Sequence, residues 1–408
     1  MLKKLIKSIL AFFGIGIVRI GAGFQENTSK VGFLKHEGDK RGNVLMSYII
    51  EPFLLHDESK ISNAHHHDWL SFQIGRTFSA YGYDVDVIDY NDRKFMPRKS
   101  YDFFVGARTN FQRLSELLPE QCIKIVHLDT AHWIFNNSAA YRRHHELQER
   151  RNVALSSFKW VEPNWAIEYA DYATTNWGNQ FNVGTYKYSG KPIFQIPLPT
   201  CAVYPEPDKD FSTCKNHFVW FGSDGLVHKG LDLVLEAFAT MPECQLTVCG
   251  PLREKGSDTY NGPLQRDEQF EAAFHQELYE CENIYTAGWI DVESEDFYQI
   301  TRTCIGVVFP SCSEGGGASA ITCMQAGLIP IVSYETNVNV GDFGYTLRDC
   351  SIEEIKKIVR MVSALPIDDL KEKAHAAWRF CQDNHTRKQF IENYRNIIEN
   401  IMTERHIG

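Results

Sequence analysis

The feature that most constrains the fold is an alternation of short apolar runs with longer amphipathic stretches, kept up along most of the chain. In the first half, residues 43–50, 84–90, 102–107 and 122–128 are apolar runs of strand length. Between them, 68–81 and 110–118 carry helical periodicity, and the charged stretch 139–151 suits a surface helix. A short run at 192–199 closes this half, and 200–215 (TCAVYPEPDKDFSTCK) holds two prolines without apolar periodicity, which marks a linker. The pattern then restarts, with strands expected at 217–222, 245–250, 283–287, 305–310 and 329–334. Helices are expected at 229–241, 266–281, 293–301 and 319–326, and three more, at 352–365, 368–383 and 387–405, end the chain. Such alternation builds parallel sheets with crossover helices. The expectation is an α/β protein of two Rossmann-like domains facing a central cleft. A length of 408 residues fits two domains of about 200 each.

Charge and cysteine usage narrow the function classes. A net charge of −10 argues against nucleic acid as the main partner, because phosphate-backbone binding needs a basic face. A small phosphate-bearing ligand needs only a few local donors. The eleven cysteines are scattered, with no C-x-x-C and no metal-ligand spacing. That pattern points to a reducing compartment, hence the cytoplasm. Residues 1–20 carry Lys3, Lys4, Lys7 and Arg19 and no acid. Their uncharged stretch, 8–18, is shorter than the about 20 apolar residues a membrane span needs. The expectation is a basic apolar helix lying on the inner membrane leaflet. The alternatives are a helix packed on the protein and a cleaved signal ending near Gly21-Ala22-Gly23.

Residues 310–319, PSCSEGGGAS, lie between the strand IGVVFP and a helix. The glycines Gly315, Gly316 and Gly317 let the backbone approach a ligand, and the helix from Ala318 and Ser319 adds the positive end of its dipole. The turn is therefore an anion site, with Glu314 beside it to hold hydroxyls. Upstream lie HFVWFGSDGLVHKGLDLVLEAF, with Lys229, then QLTVCGP and NIYTAGWID. In this order the segments resemble the donor domain of the retaining GT-B glycosyltransferases (glycosyl transferases group 1, family 4-like), well over about 215–350 and by general shape elsewhere. The resemblance implies that Lys229 meets the donor phosphates and that Gly288, Trp289 and Ile290 hold the nucleobase through backbone groups. It also implies that Glu314 to Ser319 hold the donor sugar and diphosphate. The domains expected are a segment 1–24, an acceptor-side domain 25–205, a donor domain 206–385, and a C-terminal helix 386–408 that packs back on the N-terminal domain.

Two positions depart from the family pattern. An arginine is usual after the glycine of the first donor strand, here Gly222, but this chain has Ser223. A second glutamate is usual eight residues after the first, and this chain has Thr322. A threonine can still hydrogen-bond a ribose, through one uncharged group. Lys229 then stands alone against the diphosphate unless His228 or the N-terminal half helps. The family also sends a histidine from a loop after an N-terminal strand to the donor sugar. His132 in KIVHLDTAHW fits that place best, with His127 second. The run His65-His66-His67 opens a helix capped by Asp68 and suits an acceptor cleft better than a metal ion. The basic stretch Arg142, Arg143, Arg150 and Arg151 is either a solvated face or a diphosphate support.

The function expected is transfer of a sugar from a nucleotide-sugar donor to a glycan or lipid-linked acceptor, with retention, without a cofactor or metal. The candidate catalytic residues are His132, Glu314 and Lys229. A nucleotide-sugar-binding subunit without turnover is the first alternative, and a GT-B-fold epimerase or phosphorylase is the second. The base, sugar and acceptor are not encoded in these motifs.

Overall fold

The computed structural model describes residues 29–55, 58–63 and 66–407, so the basic segment 1–24 and His65 lie outside the described residues. Two sheets dominate. The first contains β1 (Gly32–Leu34), β2 (Gly42–Tyr48), β3 (Tyr83–Asp89), β4 (Phe103–Gly106), β5 (Ile123–Leu128), β6 (Tyr172–Asn176) and β7 (Ile193–Ile196), in the order β1-β3-β2-β4-β5-β6-β7. Only β1 runs antiparallel to its neighbour. The second contains β8 (His217–Phe221), β9 (Gln245–Cys249), β10 (Ile284–Gly288), β11 (Gly306–Phe309), β12 (Ile329–Ser333) and β13 (Tyr345–Leu347), all parallel, in the order β10-β9-β8-β11-β12-β13. Its central strands β11 and β12 are buried at every position, as sheets covered by helices on both faces require. Strand order reverses between β2 and β4 in one sheet and between β8 and β11 in the other. Ligands bind outside the carboxyl ends of strands at such switch points.

Several elements differ from the sequence expectation for identifiable reasons. Strand β6, Tyr-Ala-Thr-Thr-Asn, has no apolar run, yet it is fully buried. Its hydroxyls are satisfied inside the sheet: Thr174 Oγ1 lies 3.0 Å from His127 Nδ1, and Thr175 Oγ1 donates to the Leu128 carbonyl at 3.1 Å. The charged helix starts at Trp133, well before 139, because the His132 side chain accepts the Ile134 amide and caps it. The single helix expected at 266–281 is broken into Glu268–Ala273 and a wide turn at Gln276–Glu280. The proline-rich connection is packed against the second half. Tyr204 Oη donates to the Val292 carbonyl, and Lys209 Nζ donates to the carbonyls of Thr301 and Cys304.

Two helices tie the halves together, and Val31–Gly408 forms one compact unit. Helix Arg387–Glu404 lies on the first half, where Phe390 meets Trp69 edge-on at 5.6 Å and Tyr81 Oη donates to Glu399. Helix Trp133–Arg151 belongs to the first half and docks the second. Arg143 Nη1 donates to the Pro310 carbonyl at 3.0 Å, Arg150 pairs with Asp232 at 2.6 Å, and Arg151 pairs with Glu277 at 2.6 Å. Arg143 is thus buried and Arg150 and Arg151, though partly exposed, are committed to ion pairs, so the three join the two halves and none of them borders the cavity described below. Among the described residues no helix is long and apolar enough to cross a membrane.

Candidate active site

A cavity of about 730 Å³ opens between the carboxyl ends of the two sheets. Both switch points face it: Tyr48 ends β2 and Arg108 lies just beyond β4, while Gly222, Ser223, Asp224 and Lys229 follow β8 and the glycine turn follows β11.

On the C-terminal side, the chain leaves β8 through Gly222 and Ser223 and turns back at Gly225, whose carbonyl accepts the Lys229 amide at 2.9 Å. Trp220 Nε1 donates to the Lys229 carbonyl, so the lysine is fixed at its backbone and its side chain runs into the cavity. Lys229 Nζ meets Glu314 Oε1 at 3.2 Å, and Ser311 Oγ donates to the same oxygen at 2.9 Å. Burial disfavours the Lys229 ammonium, but the Glu314 and Asp224 carboxylates outweigh it and raise its pKa. Burial likewise works against ionised Glu314, yet Lys229, Lys159 and His228 hold its carboxyl down at about 2. This is a largely buried ion pair at neutral pH.

The turn after β11 brings backbone to the ligand space. Gly317 has φ +56°, and a Cβ there would lie 2.4 Å from Val338 Cγ2, so no other residue fits without strain. At Gly315 the backbone of the first half approaches so closely that a Cβ would meet the Asp129 carbonyl at 2.0 Å. Helix Ala318–Gln325 starts beyond Gly317 with no side-chain cap, and its first residues, Ala318 and Ser319, border the cavity, an arrangement that suits an anion. Thr322 also borders the cavity, with its hydroxyl proton committed to the Ala318 carbonyl at 2.9 Å. Its oxygen remains an acceptor.

The N-terminal side contributes Arg108, Asp129, Lys159 and Tyr48, to which sequence reasoning gave no role, beside the histidines expected at an acceptor cleft. Arg108 pairs with Asp129 (Nη2 to Oδ2 2.9 Å), and the carboxylate keeps the guanidinium firmly protonated despite burial. Arg108 adopts φ +58°, a conformation rare for side-chain-bearing residues and associated with functional sites. Lys159 reaches the cavity from the segment after the docking helix, its Nζ 3.6 Å from Asp224 Oδ1. Tyr48 Oη lies 2.7 Å from His67 Nδ1, and His66 and His67 both border the cavity. Among the described residues no His, Cys, Asp and Glu side chains converge as a metal-binding group. The signal available for Asp129 and Arg108 was position alone: Arg108 follows β4 at the switch point, and Asp129 follows β5, the next strand.

Of the sequence candidates, Gly222, Ser223, Lys229, Trp289, Ile290, Glu314, the three glycines, Ala318, Ser319 and Thr322 border this one cavity. Gly288 sits behind them at the end of β10, turning the chain at φ +75°. His132 does not join them. It borders a separate cavity of about 520 Å³ with Trp165, Glu168 and Tyr188, capping its helix through Nδ1 and meeting Tyr188 Oη at 3.0 Å through Nε2. His127 is buried in β5, its Nε2 without a hydrogen-bond partner. His228 is buried too: Nε2 donates to the Ser313 carbonyl, and burial pulls its pKa down to about 4, so it clamps the glycine turn as a neutral ring.

No family model matches the sequence, and no curated protein matches it. Solved structures do. Sucrose-phosphate synthase from Thermosynechococcus elongatus aligns with a TM-score of 0.58 and 13% identity, over 90% of this chain and 100% of that one. The E. coli structure described as trehalose-6-phosphate bound with UDP-2-fluoro glucose aligns at 0.55 and 9%, over 90% and 100%. HepE from Anabaena, solved with UDP and glucose, aligns at 0.53 and 11%, over 89% and 99%. The chain spans 55% of the longer TarM, at a TM-score of 0.49. Identities this low speak for architecture. With its two parallel-sheet halves facing one cleft, this chain has the GT-B fold of the glycosyltransferases.

Proposed function

We propose that the protein is a glycosyltransferase that takes a sugar from a nucleoside diphosphate donor and places it, with retention, on a hydroxyl of a glycan or lipid-linked acceptor. One observation carries the reading. Lys229, Glu314 and an uncapped helix N-terminus converge at the switch point of the C-terminal sheet and border the same cavity as Arg108 and Asp129. Cation, amides and helix dipole suit a diphosphate, and an adjacent carboxylate suits sugar hydroxyls.

In this reading the diphosphate rests on the amides after Gly317 and on Lys229, and Glu314 accepts hydrogen bonds from the donor sugar. Asp129, held against the glycine turn, takes the sugar-facing position that the resemblance gave to His132. The acceptor hydroxyl enters from the His66–His67 side. The anomeric C–O bond to phosphate breaks, the bond to the acceptor oxygen forms on the same face, and the acceptor proton passes to the departing phosphate oxygen. Stabilising charge on the leaving diphosphate is the main catalytic term. Trp289 and Ile290 flank the nucleobase position.

UDP-sugars come first in a donor screen, because two structural neighbours were solved with UDP and glucose or with UDP-2-fluoro glucose. The test is a thermal-shift screen of UDP-, GDP- and ADP-sugars. Stabilisation by one donor, abolished in Glu314→Ala and Lys229→Ala, is the expected result; equal stabilisation of both variants would place the donor elsewhere. A donor-binding subunit without turnover is the second reading, motivated by Ser223 and by the committed Thr322 hydroxyl. It requires binding with neither transfer nor donor hydrolysis. A peripheral membrane contact through residues 1–20 rests on their charge alone. Deleting them should move the protein from the membrane to the soluble fraction, and unchanged partitioning would refute the contact.

A further inference from the structure

A second lysine in the cavity, Lys159, is left over by the mechanism above. Lys159 and Lys229 come from different halves of the molecule, yet both border the cavity, Lys159 with its ammonium 3.6 Å from Asp224 and Lys229 with its own 3.2 Å from Glu314. Lys159 is aimed there by its surroundings. Its segment is pinned by the buried Asn137, whose Nδ2 donates to the Val161 carbonyl while its Oδ1 accepts the Val161 amide. Asn136 Nδ2 donates to the Lys159 carbonyl itself. The aliphatic part of Lys159 then lies along Gly225, where a Cβ would come within 3.2 Å of Lys159 Cδ. The ammonium ends 3.6 Å from Asp224, on the loop between Ser223 and Lys229.

Two ammonium ions in one cavity repel each other, and a multiply charged anion between them relieves that repulsion. Glu314 neutralises one, and Asp224, which is largely exposed, lies at the limit of ion pairing with the other. The loop also carries Ser223 where the resembled family has an arginine. We propose that Lys159 is the second cation for the leaving diphosphate, supplied by the N-terminal half in place of the residue missing at position 223. The proposal rests on the glycosyltransferase reading and deepens it: the donor must present two adjacent phosphates, one to each lysine, and its diphosphate bridges the halves.

The groups facing Lys159 are Lys229, Asp224 and His228 on the β8 loop and Glu314 on the glycine turn. The Lys229 charge, then burial, draws the Lys159 pKa down to about 8. A bound diphosphate favours the protonated form, so binding takes up a proton above that pH and weakens as pH rises. Removing Lys159 also removes the repulsion, so the unliganded protein does not lose stability.

The test is calorimetric titration with UDP, GDP and ADP and with the matching monophosphates, on wild type, Lys159→Met and Lys159→Arg. For the diphosphate that wild type binds, Lys159→Met should weaken affinity about 10- to 100-fold, as expected for one charge-assisted contact. The monophosphate should lose less than about 3-fold, and Lys159→Arg should restore most of the diphosphate affinity. Wild-type affinity should fall between about pH 7 and pH 9, and that fall should vanish in Lys159→Met, whose unliganded melting temperature stays equal or rises. Unchanged diphosphate affinity in Lys159→Met, equal losses for mono- and diphosphate, or a lowered melting temperature with a retained pH profile would overturn the role of Lys159 alone. If wild type binds none of the diphosphates, the role of Lys159 and the donor reading fall together.

Discussion

Replacing Glu314 with glutamine tests the electrostatics of the cavity without changing its shape. Its carboxyl sits at about 2 in the folded chain, against an ordinary value of 4.5. That difference, at about 1.4 kcal/mol per unit, corresponds to about 3 kcal/mol of stability at neutral pH. The Lys229–Glu314 distance of 3.2 Å gives about 5 kcal/mol of attraction at an effective dielectric of 20, from which desolvation subtracts, so the two figures agree. The sign follows from the depressed folded value. The contribution is fully present above the unfolded pKa and is lost as pH falls through the folded one. Glu314→Gln should therefore cost about 3 kcal/mol at pH 7 and less than half of that at about pH 3. Lys229→Met should cost only about 1 kcal/mol, because Lys159 remains beside the carboxylate. Urea unfolding followed by circular dichroism measures this, and the Glu314→Gln midpoint should drop by about 1 M. A Lys229→Met loss as large as that of Glu314→Gln would refute the three-charge arrangement, and so would a Glu314→Gln penalty independent of pH.

Other substitutions probe separate parts of the account. His132→Ala should leave donor binding within about 3-fold of wild type by thermal shift while costing about 1 kcal/mol, the loss of a helix cap; a large loss of donor affinity would return His132 to the active site. Arg150→Met strands Asp232, which is fully buried with Oδ1 already unpartnered, and should cost about 3–5 kcal/mol in urea unfolding. A neutral result would show that the docking helix does not hold the halves. Gly317→Ala forces a side chain into φ +56° against Val338 and should abolish donor-induced stabilisation while lowering the melting temperature; retained donor response would place the diphosphate away from this turn.

The second half was legible because its strands are apolar runs and its turns carry glycine, lysine and glutamate at their ends. Those signals are local. The missing pieces depend on contacts between distant segments. Strand β6 hides its burial behind threonines that bond within the sheet, so it has no hydrophobic pattern to read. His132 lies only three residues beyond Asp129, but it caps the helix it precedes, and that directs its ring into the second cavity. Lys159 lies in an irregular segment and reaches the loop after β8 only because helix Trp133–Arg151 docks the two halves. Arg150 and Arg151 looked like surface charge because their partners, Asp232 and Glu277, lie about a hundred residues away in sequence.

The most direct test of the central claim is mass-spectrometric detection of free nucleoside diphosphate during prolonged incubation with UDP-, GDP- and ADP-sugars. Wild type should be run beside Lys229→Ala and Glu314→Ala. The account predicts slow, enzyme-dependent release from one donor class, lost in both variants, as water takes the acceptor's place. Release that persists in both variants would contradict the assigned site, and donor binding without release would contradict turnover.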